Sequence, residues 1–143
     1  MNLKSNLIKQ LMELEAAETP GKISQPEEVL PFVEEYRLKE QEHFIVLNLD
    51  GSHKVINTNL ITKGIVNKTL APAREVFRQA ILDNSVSIIL VHNHPSGESD
   101  PSNEDFSLTD NLKQAGKILG IPVLDHIIIA KTGYYSFQKE SKI

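Results

Sequence analysis

The spacing of apolar residues at the start of the chain predicts two helices. Leucines recur at helical spacing over residues 3–16, which is typical of a short amphipathic helix, and the turn signal at 19–21 ends it. Pro26 suits the first turn of a second helix, whereas Pro31 inside that helix predicts a kink or a restart. We interpret residues 1–24 as an N-terminal helix and turn that precede the main domain.

From residue 43 onward, strand-like and helix-like spacing of apolar residues alternate. The predicted elements are, in order, a strand at 44–49, a hairpin turn at Asp50-Gly51, a strand at 54–61, a helix opened by Pro72, a strand at 85–91, a helix ended by Gly120, and strands at 123–130 and 134–137. The first of these helices is expected to bury Ala73, Val76, Phe77, Ala80 and Ile81, and the second to bury Leu108, Leu112, Ala115 and Leu119. This order predicts an α/β fold over residues 25–143, with a mixed β-sheet flanked by helices.

Composition places the chain among globular proteins and excludes several kinds of site. Its 143 residues are 40% hydrophobic and 24% charged, which suits a single core. The formal net charge of -4 offers no attraction to a polyanion, so nucleic-acid binding is not expected. No apolar stretch has the length of a membrane span and no targeting segment is visible, which makes the cytoplasm the expected location. There is no cysteine, so any metal site must use histidine and carboxylate ligands.

One segment, residues 92–105, concentrates the residues that can carry chemistry. His92 and His94 lie one residue apart at the end of an apolar strand, where alternation of side chains points both imidazoles to the same side. Asp105 follows one loop later in the first turn of the next helix, where it can supply a third ligand. Two imidazoles and one carboxylate suit Zn2+ and leave a fourth tetrahedral position open for water. The segment therefore predicts a catalytic zinc site.

Each part of this segment also has a purely structural interpretation. The run from Ser102 to Asp105 matches a capping box, in which Ser102 caps the helix and Asp105 returns to the backbone. The two histidines can equally be hydrogen-bonded groups at a strand end. Capping and metal binding are compatible, because a capped helix start is rigid beside a metal.

Two further pairs of polar residues lie near the predicted strands. Asp125 and His126 either support the metal site or form a hydrogen-bonded pair at a strand edge. His43 and His53 flank the predicted hairpin and are expected to be solvated.

The motif as a whole resembles that of a known family. His92-x-His94-Pro95 followed by Ser102-x-x-Asp105 is similar to the pattern of the JAMM (MPN+, or JAB-domain) zinc metalloproteases, which include deubiquitinating isopeptidases. The run His92-Asn93-His94-Pro95-Ser96-Gly97, with Pro101 ahead of Ser102 and the later Asp125-His126-Ile127-Ile128-Ile129, looks most similar to the bacterial RadC-like branch. The resemblance extends from about residue 25 to the C-terminus. It implies the three-layer JAB/MPN architecture, which is related to that of cytidine deaminases.

The resemblance implies a role for each residue of the motif. His92, His94 and Asp105 would be the ligands of Zn2+, and Ser102 would help to hold the oxyanion formed from the substrate carbonyl. Glu42 looks like the counterpart of the family's glutamate, which acts as general base and then passes the proton to the leaving amine. The implied activity is hydrolysis of a peptide or isopeptide bond in a protein substrate.

Two features depart from the family pattern. Ala71-Pro72-Ala73-Arg74 stands where RadC-like relatives often have a His-Pro-Arg turn. The residues before Gln25 are too few for the helix-hairpin-helix DNA-binding region of larger relatives. A link to DNA repair is therefore weakly supported by this sequence.

Three other functions compete with a peptidase. A zinc deaminase needs a cysteine pair, which this chain lacks, and a magnesium-dependent nuclease needs a carboxylate-rich site and a basic groove. The remaining alternative is a non-catalytic or DNA-repair-associated RadC-like interaction module. The presence of all three predicted ligands favours an enzyme. The bond cleaved, any required partner and the oligomeric state stay open at this point.

Overall fold

A computed structural model of the chain describes residues 2–18, 21–64 and 73–143, and its five strands form one mixed sheet. The strands are β1 (His43–Leu49), β2 (Val55–Lys63), β3 (Ser87–Asn93), β4 (Val123–Ile129) and β5 (Tyr134–Ser136). Their order across the sheet is β2-β1-β3-β4-β5, so β2 and β5 are the edge strands. Only β3 and β4 run parallel, because α4 connects them, and the other three pairs are antiparallel.

In the described residues, two helices precede β1, one lies between β2 and β3, and one lies between β3 and β4. They are α1 (Leu3–Glu18), α2 (Leu30–Val33), α3 (Ala73–Leu82) and α4 (Asn103–Leu119). Short 3₁₀ turns at Pro26–Val29 and Glu34–Tyr36 flank α2, so the predicted second helix is broken into three pieces around Pro31. Pro72, predicted to open α3, lies outside the described residues. None of the helices in the described ranges is long and apolar enough to cross a membrane.

Each face of the sheet packs against its own layer of helical structure. Because side chains alternate along a strand, even-numbered residues of β1 and β3 face α3 and α4, while odd-numbered residues face the turns around α2. The first core contains Phe44, Val46, Val76, Phe77, Ala80, Ile88, Leu90, Leu108, Leu112, Ile121 and Val123. The second contains Ile23, Val29, Val33, Ile45, Leu47, Leu49, Ile89, Val91, Ile127 and Ile129. The predicted α/β fold, a mixed sheet flanked by helices, is confirmed.

Three residues differ in burial from the prediction. Ile81 and Leu119 are 54% and 49% exposed, because the last turn of each helix carries these positions away from the sheet. The buried face of α4 also includes Asp105, Thr109 and Gly116, which are not apolar side chains. His43, expected to be solvated, is buried because β1 lies between β2 and β3.

The C-terminal turn of α4 closely approaches the connection to β4 at Gly116. The backbone N–H groups of Gly120 and Ile121 both donate to the carbonyl of Gly116, and Gly120 has a left-handed conformation with φ 74°. A Cβ atom at position 116 would lie 2.4 Å from the carbonyl oxygen of Ile121 and 3.3 Å from a ring carbon of Phe77. Glycine is therefore required at this point inside the helix.

We expect Gly116→Ala to lower the free energy of unfolding by about 1–2 kcal/mol, because overpacking against the backbone outweighs the better helix propensity of alanine. The matched control is Asn111→Ala at an exposed position of α4, which should leave stability unchanged or slightly raised. Urea unfolding of the three proteins measures the difference. Equal stability of Gly116→Ala and the parent would show that this turn tolerates a side chain.

Candidate metal centre

The end of β3 directs two imidazoles to one point. His92 lies in the middle of the sheet, opposite Phe44 of β1 and Ile128 of β4. The backbone N–H of His94 donates to the carbonyl of Ile129 at 2.9 Å, so the extended pairing continues past the last residue of β3. The two Nε2 atoms of His92 and His94 consequently lie 2.9 Å apart. The predicted same-side arrangement of the pair is what the structure shows.

Asp105 meets this pair from the first turn of α4. Ser102 is the N-cap: its Oγ accepts from the N–H of Asp105 at 3.2 Å, and its own N–H donates to Oδ2 of Asp105 at 2.9 Å. The same carboxylate lies 3.1 Å from Nε2 of His94 and 3.3 Å from Nε2 of His92. Asp105 is fully buried. The predicted capping box is present, and the capping carboxylate lies where it could also contact a metal ion.

Glu42 completes the group from the residue just before β1. Its Oε1 lies 3.8 Å from Nε2 of His92, and its side chain is 21% exposed. One ligand atom from each of Glu42, His92, His94 and Asp105 can be chosen so that all lie within 4.8 Å of one another. The structure thus brings together four of the five predicted site residues and joins the fifth, Ser102, to Asp105 by hydrogen bonds.

Asn93 holds the backbone on either side of Glu42. Its Oδ1 accepts from the N–H of His43 at 2.6 Å, and its Nδ2 donates to the carbonyls of Gln41 at 3.0 Å and Lys39 at 3.3 Å. Asn93 is completely buried and points to the opposite face of β3 from His92. One strand therefore positions the two histidines and, through Asn93, the glutamate. Sequence reasoning missed this residue, although its place between the two histidines was a signal.

Asp125 and His126 have separate roles, because neighbouring residues of β4 face opposite sides of the sheet. Nε2 of His126 lies 2.7 Å from Nδ1 of His92, so His126 supports the site. Asp125 instead accepts from the hydroxyl of Ser136 at 2.6 Å and the N–H of Gln138 at 3.0 Å, and burial raises its pKa. Of the predicted pair, only His126 contacts a site residue through its side chain.

The two motif histidines have pKa values shifted in opposite directions. Burial lowers the pKa of His92, which keeps its imidazole neutral. Burial also acts against the charged form of His94, but its contacts with Asp105 and with the carbonyl of Glu98 outweigh that cost and raise the pKa. A metal must displace any proton from these nitrogens before it binds.

The donor set and its arrangement fit a transition-metal ion. Two imidazole nitrogens and a carboxylate converge, and imidazole with carboxylate is a combination that Zn2+ accepts. Two Nε2 lone pairs cannot face each other at 2.9 Å without a shared proton or cation between them. The nearby buried carboxylate adds negative charge at the same point. These residues can therefore hold a metal ion.

The mixed sheet carries a His-x-His pair at a strand end and an aspartate in the next helix, which is the arrangement that the resemblance to JAB domains implies. Residues 23–143 match the family model described as the RadC-like JAB domain. The chain belongs to this family, as the sequence resemblance predicted.

Curated relatives of the chain include UPF0758 proteins from several organisms. A UPF0758 protein of Clostridium perfringens is 44% identical over 123 residues, which are 85% of this chain and 54% of the relative. A UPF0758 protein of Methanospirillum hungatei is 48% identical over 112 residues, or 77% of this chain and 50% of the relative. A third, from Thermotoga maritima, is 41% identical over 124 residues, which are 87% of this chain and 56% of the relative. The chain spans about half the length of the curated relatives it matches.

We expect Asn93→Ala to release the segment that carries Glu42. The N–H of His43 would lose its acceptor inside the protein, which costs about 1–3 kcal/mol of stability. Amide hydrogen exchange measured by NMR should be faster at His43 than in the parent. Asn111→Ala, which removes an exposed asparagine of α4, is the control and should leave exchange at His43 unchanged. Unaltered exchange in Asn93→Ala would contradict the role given to this side chain.

Proposed function

We propose that this protein is a zinc-dependent hydrolase that cleaves peptide or isopeptide bonds, and that residues 25–143 carry the activity. The observation behind this proposal is the convergence of Glu42, His92, His94 and Asp105 on one point at the end of β3. Membership of the RadC-like JAB domain family supports it, because the JAB metalloproteases that the motif resembles use zinc. The names of the relatives specify no activity, so the proposal rests on the geometry and the family.

His92, His94 and Asp105 would hold the zinc ion through two Nε2 atoms and one carboxylate. Three protein ligands leave a position for water, which distinguishes a catalytic zinc from a structural one. When bound, zinc would polarise a substrate carbonyl and lower the pKa of a bound water toward neutral pH. The contribution of the protein is to fix the three donor groups on a strand end and a capped helix start.

Glu42 would transfer the proton from the attacking water to the leaving amine. Its carboxylate lies beside the ligands but 3.8 Å from the nearest histidine nitrogen, and it is partly exposed to solvent. It can therefore accept a proton from the attacking water and deliver it to the amine that leaves. The three hydrogen bonds of Asn93 to the flanking backbone keep this carboxylate in place relative to β3.

Ser102 would donate a hydrogen bond to the substrate carbonyl oxygen as negative charge develops on it. Its Oγ accepts from the N–H of Asp105, which leaves the hydroxyl hydrogen available for a different acceptor. The capping box holds this serine rigidly beside the ligands. Fixed donors of this kind stabilise an oxyanion without reorganisation during the reaction.

A groove beside Glu42 would admit the substrate. It has a volume of about 260 Å3 and is lined by Glu40, Gln41, Glu42, Gly64 and Pro95. Its acidic lining and the net charge of -4 favour a neutral or basic peptide over a nucleic acid. We propose a protein substrate in a peptide or isopeptide linkage, met in the cytoplasm.

We expect the purified protein to bind one zinc ion per chain and His92→Ala to bind none, because removing a ligand leaves only two. Elemental mass spectrometry after zinc loading and desalting measures the metal content. His53→Asn, which changes an exposed histidine of the β1–β2 connection, is the control and should keep its zinc. A parent protein that takes up no zinc would contradict the proposed site and favour a non-catalytic or DNA-repair-associated interaction module.

We expect Glu42→Gln to keep zinc and to lose hydrolysis by about 10²-fold or more, because glutamine cannot accept the proton. The assay incubates zinc-loaded protein with a library of linear peptides and of peptides joined through a lysine side chain, and mass spectrometry detects the products. Glu75→Gln, which changes an exposed glutamate of α3 outside the groove, is the control and should retain cleavage. Cleavage by Glu42→Gln at the rate of the parent would exclude Glu42 as the base.

A further inference from the structure

A buried row of side chains connects the metal-facing histidine to α4. Nδ1 of His92 lies 2.7 Å from Nε2 of His126, and Nδ1 of His126 lies 2.5 Å from the hydroxyl of Thr109. The Thr109 hydroxyl also lies 2.7 Å from the backbone carbonyl of Asp105, one helical turn earlier. His92, His126 and Thr109 are all buried. The row therefore starts at one proposed metal ligand and ends on the backbone of another.

The carbonyl at the end of this row determines which way the hydrogen bonds point. A carbonyl oxygen can only accept, so the hydroxyl of Thr109 donates to Asp105. The same hydroxyl oxygen must then accept from Nδ1–H of His126. A neutral imidazole carries one N–H, so Nε2 of His126 is bare and accepts from Nδ1–H of His92. The Nε2 atom of His92 is left with its lone pair free for a metal.

The opposite direction would block the site. If Thr109 donated to His126 instead, then Nε2 of His126 would carry the hydrogen and would donate to Nδ1 of His92. The hydrogen of His92 would then sit on Nε2, facing His94 and the carboxylate of Asp105. A protonated ring nitrogen cannot bind a metal.

Packing keeps His126 in this orientation. Its ring stacks on Phe137 with centroids 4.8 Å apart and an interplanar angle of 11°, and it meets Phe44 edge-on at 6.0 Å. The ring is therefore held between aromatic side chains.

His94 is oriented by a carbonyl as well. Its Nδ1 lies 2.8 Å from the backbone carbonyl of Glu98, which can only accept, so Nδ1 of His94 carries a hydrogen. Both proposed ligands are thus oriented by a carbonyl, directly for His94 and through two intervening side chains for His92.

We propose that Thr109 and His126 are positioning residues that hold the hydrogen of His92 on Nδ1 and so keep its Nε2 ready for the metal. This inference rests on the proposed metal site. It adds two residues that the ligand motif does not contain, and it gives a function to Thr109, a buried residue of α4.

The test compares Thr109→Val, which removes the hydroxyl but keeps the shape, with Thr109→Ser, which keeps the hydroxyl. Zinc affinity is measured by competition with a coloured chelator, and thermal unfolding of the metal-free proteins checks that each variant folds. We expect Thr109→Val to bind zinc about 10–100-fold more weakly than the parent and Thr109→Ser to bind nearly as well. Equal affinity in Thr109→Val, or an equal loss in both variants, would overturn the inference.

A second readout needs no metal. Long-range proton–nitrogen NMR spectra of the metal-free protein show which ring nitrogen of each histidine carries hydrogen. We expect hydrogen on Nδ1 of His92 and of His126 in the parent and in Thr109→Ser, with the pattern lost in Thr109→Val. Hydrogen on Nε2 of His92 in the parent would overturn the inference. If the parent bound no zinc yet showed the expected pattern, the proposed function would fail while the assignment of the hydrogens stood.

Discussion

The carboxylate of Asp105 is wholly buried, and a charge removed from water is costly unless donors or a cation compensate it. The start of α4 supplies part of the compensation through the backbone N–H of Ser102 and the favourable end of the helix dipole. On the side of β3, the Nε2 atoms of two histidines lie within 3.3 Å of the carboxylate oxygens. A cation bound here would satisfy the carboxylate and both imidazoles together.

The sheet fixes the positions of the groups that surround the Asp105 carboxylate. β3 is central, with β1 on one side and β4 on the other, so its end cannot move independently of either neighbour. Its even-numbered face presents His92 toward α4, and its odd-numbered face uses Asn93 to hold the segment around Glu42. β4 adds His126 on the same face as His92. The two histidine ligands, Glu42 and His126 therefore all depend on the register of three neighbouring strands.

Sequence patterns predicted those parts of the molecule that depend on short-range spacing. The His-x-His pair, the Ser102–Asp105 cap and the Gly120 helix end involve residues within a few positions of each other, and period-2 or period-3.6 rules suffice for them. The contacts of Asn93 with residues 39–43, and of His126 with His92, join segments more than thirty residues apart along the chain. Strand register decides those contacts, and a single sequence does not reveal register. The exposure of Leu119 has a simpler cause, since the buried stripe of α4 shifts to Gly116 where the helix meets Ile121.

Anomalous diffraction at the zinc absorption edge, from crystals grown with zinc, tests the central claim most directly because it locates the ion. The proposed site predicts one strong peak within bonding distance of Nε2 of His92, Nε2 of His94 and the carboxylate of Asp105, with Glu42 beside it. A peak at any other position, or none at the end of β3, would contradict the assignment of this group as the metal centre.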